Sequence, residues 1–362
     1  MNKNLQILFD FLRYRLPSTT PRTRHLAFRW LLPTEATTTE TSQPNALDWL
    51  ACLGRPRRRE WNLGMTSMTE QAYCEWYASR LYTGKGKIVE LGAWLGALTI
   101  ALATGLRRNK GKPGPNAFHA YDLFIWHHSF ETAVRGTSIE AAYKEGADFY
   151  PLYLQTLASV RDLVTPHKAD LVTETWSGGP IEFLLVDAMK YEALVQNIQR
   201  AFFPFLLPGT GILMHQDFMH FYESWIHVAM YLLRDRFEPV CALPDSGTFI
   251  FRCKTRPDAD ELRFPEKVAD LPRELIEDAY EWAAGLVPPE QRDTIAAAHT
   301  MMYVHRAEFN RAMDLFERYC TRGLYHASAE FATMANYVAT YCAMDLRRGL
   351  PTQTSSLEHT SC

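Results

Sequence analysis

One stretch of the sequence decides the fold: IVELGAWLGALT, residues 88–99. It begins as a short apolar run around the acidic residue Glu90 and continues into a loop whose glycines, Gly92 and Gly96, are four residues apart. Glycine lets the backbone come close to a ligand, and a helix that starts after such a loop offers free N–H groups. The pattern therefore predicts a buried strand, a ligand-binding loop and a helix.

Similar apolar runs follow along the chain and alternate with helical patterns. The runs are KIVELG (87–92), AFHAYD (117–122), ADLVTE (169–174), IEFLLVD (181–187) and GILMHQD (211–217), and the helical patterns lie at 96–108, 149–163 and 190–206. Apolar strands separated by helices indicate a parallel sheet that is covered on both faces. Two further runs, 237–243 and 248–254, are joined by a PDSG turn and predict a closing hairpin. We expect an α/β fold with seven mostly parallel strands, the last one antiparallel.

Helical segments flank this region on both sides. Residues 65–82 show a helical pattern before the first strand, and 266–286, 290–316 and 324–347 show helical patterns after the last one. The chain is accordingly divided into an N-terminal extension (1–84), a ligand-binding domain (85–255) and a helical C-terminal region (256–362). The helical extensions are the candidate surface for a homo-oligomer.

The glycine loop discriminates between cofactors. A dinucleotide site needs the pattern GxGxxG to seat a pyrophosphate, but Trp94 stands where the central glycine would be. Glu90 precedes the loop, and a carboxylate there disfavours a phosphate and suits a cationic ligand. S-adenosylmethionine (SAM) fits that description, since it has a sulfonium and an amino group. Asp122, at the end of the next strand, is placed to accept both ribose hydroxyls.

Two more carboxylates follow strands four and five. Asp187 ends LLVD and Asp217 ends MHQD, and the carboxyl ends of neighbouring parallel strands meet at one crevice. Two carboxylates there repel each other unless one is protonated or a cation lies between them. Mg²⁺ is a candidate cation, because it takes oxygen ligands and could orient a substrate hydroxyl.

In these features the sequence resembles the class I SAM-dependent methyltransferases, over residues 85–253. The loop pattern E-x-G-x-x-x-G-x-x-T is most similar to that of the macrocin-type and catechol-type O-methyltransferases. The resemblance implies a Rossmann-like sheet, with Glu90, Gly92, Trp94, Gly96 and Thr99 at the methionine end of SAM and Asp122 at its ribose. By position alone, Trp176 is expected beside the adenine.

The resemblance also implies roles at the strand ends. The run Asp187-Ala-Met-Lys190 matches the Asp-x-x-Lys of catechol-type enzymes, in which the aspartate is a metal ligand and the lysine a general base. Asp217 falls at a second metal ligand. Phe218 follows it where these enzymes have Asn or Asp, which leaves the third ligand unassigned. His215 is an alternative base, or a packed strand histidine.

Three alternatives to an O-methyltransferase of a small molecule or sugar stay open. The first is a SAM-binding protein without catalytic activity that serves assembly. The second is a non-haem iron oxygenase, because His215-x-Asp217 supplies two thirds of a facial triad, although that site requires a double-stranded β-helix. The third is an NAD-dependent enzyme, which the glycine pattern disfavours.

Composition limits the partners and the compartment. Lys and Arg total 38 against 41 Asp and Glu, a net charge of −3, so the totals do not predict a nucleic-acid partner. Seven cysteines without a CxxC pair are expected to be reduced thiols in a cytoplasmic protein. The sequence contains no apolar run of about 18 residues, so it predicts no membrane span. An aromatic content of 13% indicates a large core, apolar pockets, or both.

Overall fold

The structure, a computed structural model, describes residues 64–111, 113–322, 331 and 333–340. Most of the N-terminal extension and most of the helix expected at 324–347 lie outside the described residues. So do three of the seven cysteines; the four that are described are free thiols.

Seven strands form one sheet in the order β3-β2-β1-β4-β5-β7-β6. Strands β1 to β5 are parallel, whereas β7 runs antiparallel to both of its neighbours. This is the Rossmann-like arrangement that the sequence predicts, including the antiparallel last strand. The strand bounds are β1 (Lys87–Leu91), β2 (Phe118–Asp122), β3 (Val164–Lys168), β4 (Ile181–Val186), β5 (Ile212–His215), β6 (Phe237–Ala242) and β7 (Phe249–Cys253).

Along residues 64–322, apart from residue 112, eight α-helices surround the sheet. They are α1 (Met68–Arg80), α2 (Ala97–Arg108), α3 (Tyr150–Thr156), α4 (Glu192–Phe202), α5 (Trp225–Leu232), α6 (Arg273–Leu286), α7 (Arg292–His305) and α8 (Phe309–Thr321). Short 3₁₀ helices lie at His128–Thr132, Arg161–Leu163, Phe203–Phe205, Val268–Asp270 and Pro289–Gln291. Within the described part of the chain, no helix is long and apolar enough to cross a bilayer.

Side chains of the central strands alternate between two apolar clusters, one on each face of the sheet. Val89 and Leu91 of β1 face the cluster that contains α4 to α8, whereas Ile88 faces the cluster that contains α1, α2 and residues 117–164. Strand β4 is buried along its whole length. Burial on both faces explains why these strands are continuous apolar runs rather than alternating ones.

Two predicted elements are wrong in position. The third strand is Val164–Lys168, not 169–174, which forms turns. It lies at the edge of the sheet and pairs only with β2, so it needs no continuous apolar run and tolerates Pro166. The single helix expected at 290–316 is interrupted after His305, where Ala307 has a φ of 55°.

Candidate active site

Glu90 is almost completely buried beneath the loop that follows β1. The hydroxyl of Thr99, in the first turn of α2, donates a 2.6 Å hydrogen bond to its Oε2. Burial raises the pKa of Glu90 to about 8; the Thr99 hydrogen bond opposes the rise, and the carboxylates of Asp187 and Asp122 add to it. A carboxyl group in this state gains from a cationic ligand, which would stabilise its charged form.

The loop after β1 has the backbone conformation that its glycines permit. Gly92 has a φ of 95°, and a Cβ added there would lie 2.5 Å from the carbonyl oxygen of Asp187. Trp94 also has a positive φ, of 42°, and its backbone N–H donates to Asp122 at 2.8 Å. Gly96 precedes α2 with a φ of 86°. The loop is therefore held tightly against the ends of β4 and β2.

Asp122 fixes this loop. Its Oδ2 accepts the N–H of Trp94, and its Oδ1 accepts the N–H of Phe124 at 2.7 Å. Burial raises the pKa of Asp122, against the effect of these backbone hydrogen bonds. A ribose hydroxyl would have to share these oxygens, so the ribose role remains a prediction. Trp176 packs against His119, Tyr121 and Phe202, and its expected position beside the adenine likewise stays a prediction.

A small cavity opens between the loop and the ends of β4 and β5; its enclosed part is about 20 Å³, about the space of one water molecule, and the rest is open to solvent. Glu90 and Asp187 line it, together with Gln216, whose buried Oε1 has no hydrogen-bond partner among the described residues. These acceptor groups fit the cationic methionine end of SAM. The other lining residues are Gly64, Met65, Thr66, Gly92, Ala93, Trp94, Ala97 and Leu98.

Lys190 joins the predicted carboxylates beside this cavity. Its Nζ lies 2.9 Å from Asp187 Oδ1, donates a hydrogen bond to Asp217 Oδ2, and lies 3.9 Å from Glu223 Oε1. Glu223 also pairs with His220. The lysine side chain is 44% exposed, whereas Asp187, Asp217 and Glu223 are mostly covered. We call Lys190, Asp187, Asp217 and Glu223 the lysine cluster.

The pKa values of Lys190, Asp187 and Asp217 are shifted in different directions. Burial opposes the charge on Lys190, but the carboxylates around it raise its pKa well above the ordinary value, so the ammonium is retained. Burial and the neighbouring Asp217 raise the pKa of Asp187 in spite of Lys190. The pKa of Asp217 is lowered, because Lys190 and His220 outweigh its burial. Of the two aspartates, Asp187 is therefore the one that takes up a proton more readily.

The magnesium site stays a prediction: the carboxylates of Asp187, Asp217 and Glu223 are oxygen ligands of the kind Mg²⁺ takes, but the Lys190 ammonium already lies among them. The cation between Asp187 and Asp217 is the Lys190 ammonium, and the next residue, where a third ligand would be expected, is the fully buried Phe218. The required cation that the sequence analysis inferred is thus supplied by the chain itself.

His215 is buried at the end of β5, and neither ring nitrogen has a hydrogen-bond partner within the described residues. Burial lowers its pKa to about 3, although Asp217 acts in the opposite sense. A neutral histidine of such low basicity favours the packed-histidine interpretation over a general base. The parallel sheet is also not the double-stranded β-helix that the iron alternative requires.

The large aromatic residues that follow β2 are buried inside the protein. Phe124 and Trp126 are fully buried and pack against Phe149 and Tyr143. Trp94 contacts this core through Phe130, with ring centroids 5.4 Å apart. Residues 123–149, which we call the insert, therefore pack beside the glycine loop into the apolar cluster that also contains α1 and α2.

Sequence reasoning missed Gln216, Glu223 and the segment 64–66 as parts of the site. Gln216 stands between two residues that were selected, and its position directly after β5 was the available signal. Glu223 and residues 64–66 reach the site through tertiary folding, for which the sequence contains no local signal.

One comparison with known proteins covers the region that contains this site. Residues 89–216 match the family described as "Methyltransferase domain". No curated protein matches the chain. Among solved structures, the crystal structure of the 23S rRNA methyltransferase ErmE is similar at 12% identity and a TM-score of 0.30, over 77% of this chain and 98% of that one. A likeness at that level supports no conclusion about the acceptor.

The family match begins in β1 and ends directly after β5, so it includes the glycine loop, Asp122 and Asp187. Together with the order of the seven strands, it supports a class I methyltransferase domain in this chain, for which SAM is the implied methyl donor.

Proposed function

We propose that this protein transfers a methyl group from SAM to a hydroxyl of a small, neutral acceptor such as a sugar or another natural product. One observation supports this most directly: the acceptor groups of Glu90, Asp187 and Gln216 line one cavity, and Asp187 also belongs to the exposed lysine cluster. A site for a cation and a site for proton removal thus share one residue.

In this proposal Glu90 and Gln216 hold the methionine end of SAM, and the backbone of the glycine loop lies along it. SAM supplies an electrophilic methyl group on its sulfonium. Asp187 accepts the proton of the substrate hydroxyl, because its pKa is raised whereas that of Asp217 is lowered, which makes Asp187 the stronger base of the two aspartates. Lys190 orients Asp187 and keeps the neighbouring Asp217 charged.

The electrostatics of the mouth support a neutral acceptor. Asp187, Asp217 and Glu223 surround the single ammonium of Lys190, and Glu90 lies behind them. A polyphosphate backbone would approach a net negative surface there. A sugar or polyol can instead donate hydroxyl hydrogen bonds to the carboxylates.

Calorimetric titration with SAM tests the cofactor, and formation of S-adenosylhomocysteine with a panel of hydroxyl compounds tests the reaction. We expect Asp187→Asn to reduce turnover at least 100-fold and to change the dissociation constant of SAM less than fivefold. Glu140→Gln, an exposed carboxylate of the insert, is the control and should leave both unchanged. Absence of SAM binding to the unmodified protein would refute the proposal; SAM binding without turnover on any hydroxyl compound would favour the non-catalytic alternative.

A further inference from the structure

A second group of chemically reactive side chains lies outside the cavity, at the neck of the insert. His127 and His128 come from the start of a 3₁₀ helix, and Glu145 comes from a turn later in the insert. One ligand atom from each lies within 4.8 Å of the other two. Neither the methyl-transfer site nor the lysine cluster uses these residues.

The backbone holds the two sides of the neck together. Trp126 N–H donates to the carbonyl of Ala147 at 2.7 Å, and Gly146 N–H donates to the carbonyl of Trp126 at 2.9 Å. Glu145 Oε2 accepts the backbone N–H of His128 at 2.5 Å. The carboxylate is therefore already fixed in front of the two imidazoles.

The donor distances are close to those of a metal site. His128 Nδ1 lies 3.3 Å from Glu145 Oε2, and His127 Nε2 lies 3.9 Å from Glu145 Oε1. Metal bonds of about 2.0–2.2 Å at tetrahedral angles place ligand atoms about 3.3–3.5 Å apart. Of the three ligand pairs, His128–Glu145 already has that spacing, and His127–Glu145 needs a movement of about half an ångström by exposed side chains; the ligand atoms of His127 and His128 lie within 4.8 Å of each other.

Ser129 gives His127 the outer support that metal-binding histidines use. Its Oγ lies 2.7 Å from His127 Nδ1. When Nδ1–H donates to this oxygen, Nε2 presents its lone pair towards Glu145, which is the required tautomer. The longer contact of Nδ1 with the Ser129 N–H, at 3.3 Å, would then be lost.

We propose that His127, His128 and Glu145 bind a divalent transition-metal ion of the zinc class, with water in the remaining position. Two imidazoles and one carboxylate are ligands for Zn²⁺, and not the all-oxygen set that Mg²⁺ prefers. The ion joins the two sides of the neck and closes the chain segment 129–144. Since Phe130 in that segment contacts Trp94, the ion also steadies the glycine loop.

The test is titration of the tag-free, chelator-treated full chain with ZnCl₂ alone, followed by calorimetry. We expect one zinc site that is lost in the double variant His127→Ala/His128→Ala, and a Kd about tenfold weaker in Ser129→Ala. Glu131→Gln, an exposed carboxylate of the same 3₁₀ helix, is the matched control and should keep the site. Zinc should also slow proteolysis within 129–144 in the unmodified chain but not in the double variant.

Two results would overturn the proposal. One is the absence of zinc binding to the unmodified chain at concentrations up to about 100 μM, which corresponds to a binding free energy weaker than about −5.5 kcal/mol. The other is equal stoichiometry and affinity in the unmodified chain and the double variant, since the ions would then be bound elsewhere. Because the three ligands are exposed, the variants keep the apolar packing of the insert, and circular dichroism checks that they fold.

Discussion

Replacing Glu90 by glutamine should stabilise the free protein and weaken its binding of SAM. Glu90 is 1% exposed, and its pKa is about 8 in the folded chain against an ordinary value of 4.5. Below pH 4.5 the carboxyl is protonated in both the folded and the unfolded chain, so it does not lower the free energy of unfolding. As the pH rises towards 8, the unfolded chain ionises while the folded chain keeps the proton, and stability is lost.

The size of the stability loss follows from the difference between the pKa of Glu90 in the unfolded chain and in the folded chain. At about 1.4 kcal/mol per pH unit, the full interval from 4.5 to about 8 amounts to about 5 kcal/mol. At pH 7 the loss is about 3 kcal/mol. Glutamine keeps the shape and still accepts the Thr99 hydrogen bond, but it has no charge to bury. We therefore expect Glu90→Gln to be more stable by about 3–5 kcal/mol at pH 8.5 and by less than about 1 kcal/mol at pH 5.

Urea unfolding at both pH values measures the difference. Glu182→Gln is the matched control, since this buried carboxylate on β4 accepts the N–H groups of Thr83 and Gly86, at 2.6 and 3.2 Å, and should lose stability when neutralised. SAM binding to Glu90→Gln should be about 10–100-fold weaker at pH 8, because a charged hydrogen bond is replaced by a neutral one. A stability change of equal size at pH 5 and pH 8.5 would refute the reasoning.

Three further perturbations test the loop and the lysine cluster. Gly92→Ala should destabilise the chain by about 2–4 kcal/mol and abolish calorimetric SAM binding, whereas Gly136→Ala, at a φ of 77° with open space around it, should cost only about 1 kcal/mol in urea unfolding. Lys190→Met should cost about 1–2 kcal/mol at pH 7, less than the 3–5 kcal/mol of a fully buried pair because Lys190 is 44% exposed; no loss in urea unfolding would contradict its role. Adding MgCl₂ to the EDTA-treated chain should change neither the Kd of SAM nor turnover, since the ammonium of Lys190 already lies between the carboxylates; a Mg²⁺-dependent turnover would restore the metal hypothesis.

The sequence predicted those strands whose pattern of apolar residues matches their burial in the fold. Strands β1 and β4 are buried on both faces, so their residues read as apolar runs of the correct length. Strand β3 was misplaced by five residues because an edge strand containing Thr165, Pro166 and His167 has no such pattern. The interruption after α7 was missed because no glycine or proline marks it; Arg306 instead donates to the carbonyls of Val268 and Leu271, far away in the sequence.

The candidate site, like the fold, could be predicted from the sequence only in part. The sequence predicted that Asp187 and Asp217 lie close together, because the ends of parallel strands meet at one edge of the sheet, and the resemblance added Lys190; the structure brings the three side chains into contact. Their protonation could not be read from the sequence, since it depends on Glu223 and on how far each group is buried. The resemblance alone favours Lys190 as base, whereas the three carboxylates around it favour its charged form.

The identity of the residue after Asp217 links these observations to the reaction. The catechol-type pattern places a further oxygen ligand there, but Phe218 is fully buried and packs against Phe249 and Phe251. Two neighbouring aspartates are accommodated by a cation between them or by a proton on one of them; the Lys190 ammonium lies between Asp187 and Asp217, and burial raises the pKa of Asp187. Because a lysine that stays charged cannot also remove a proton, we propose Asp187, which lines the cavity and contacts the ammonium, as the proton acceptor. The apolar residue at 218 therefore removes one expected magnesium ligand, and the charged Lys190 is the reason for proposing Asp187 as the base.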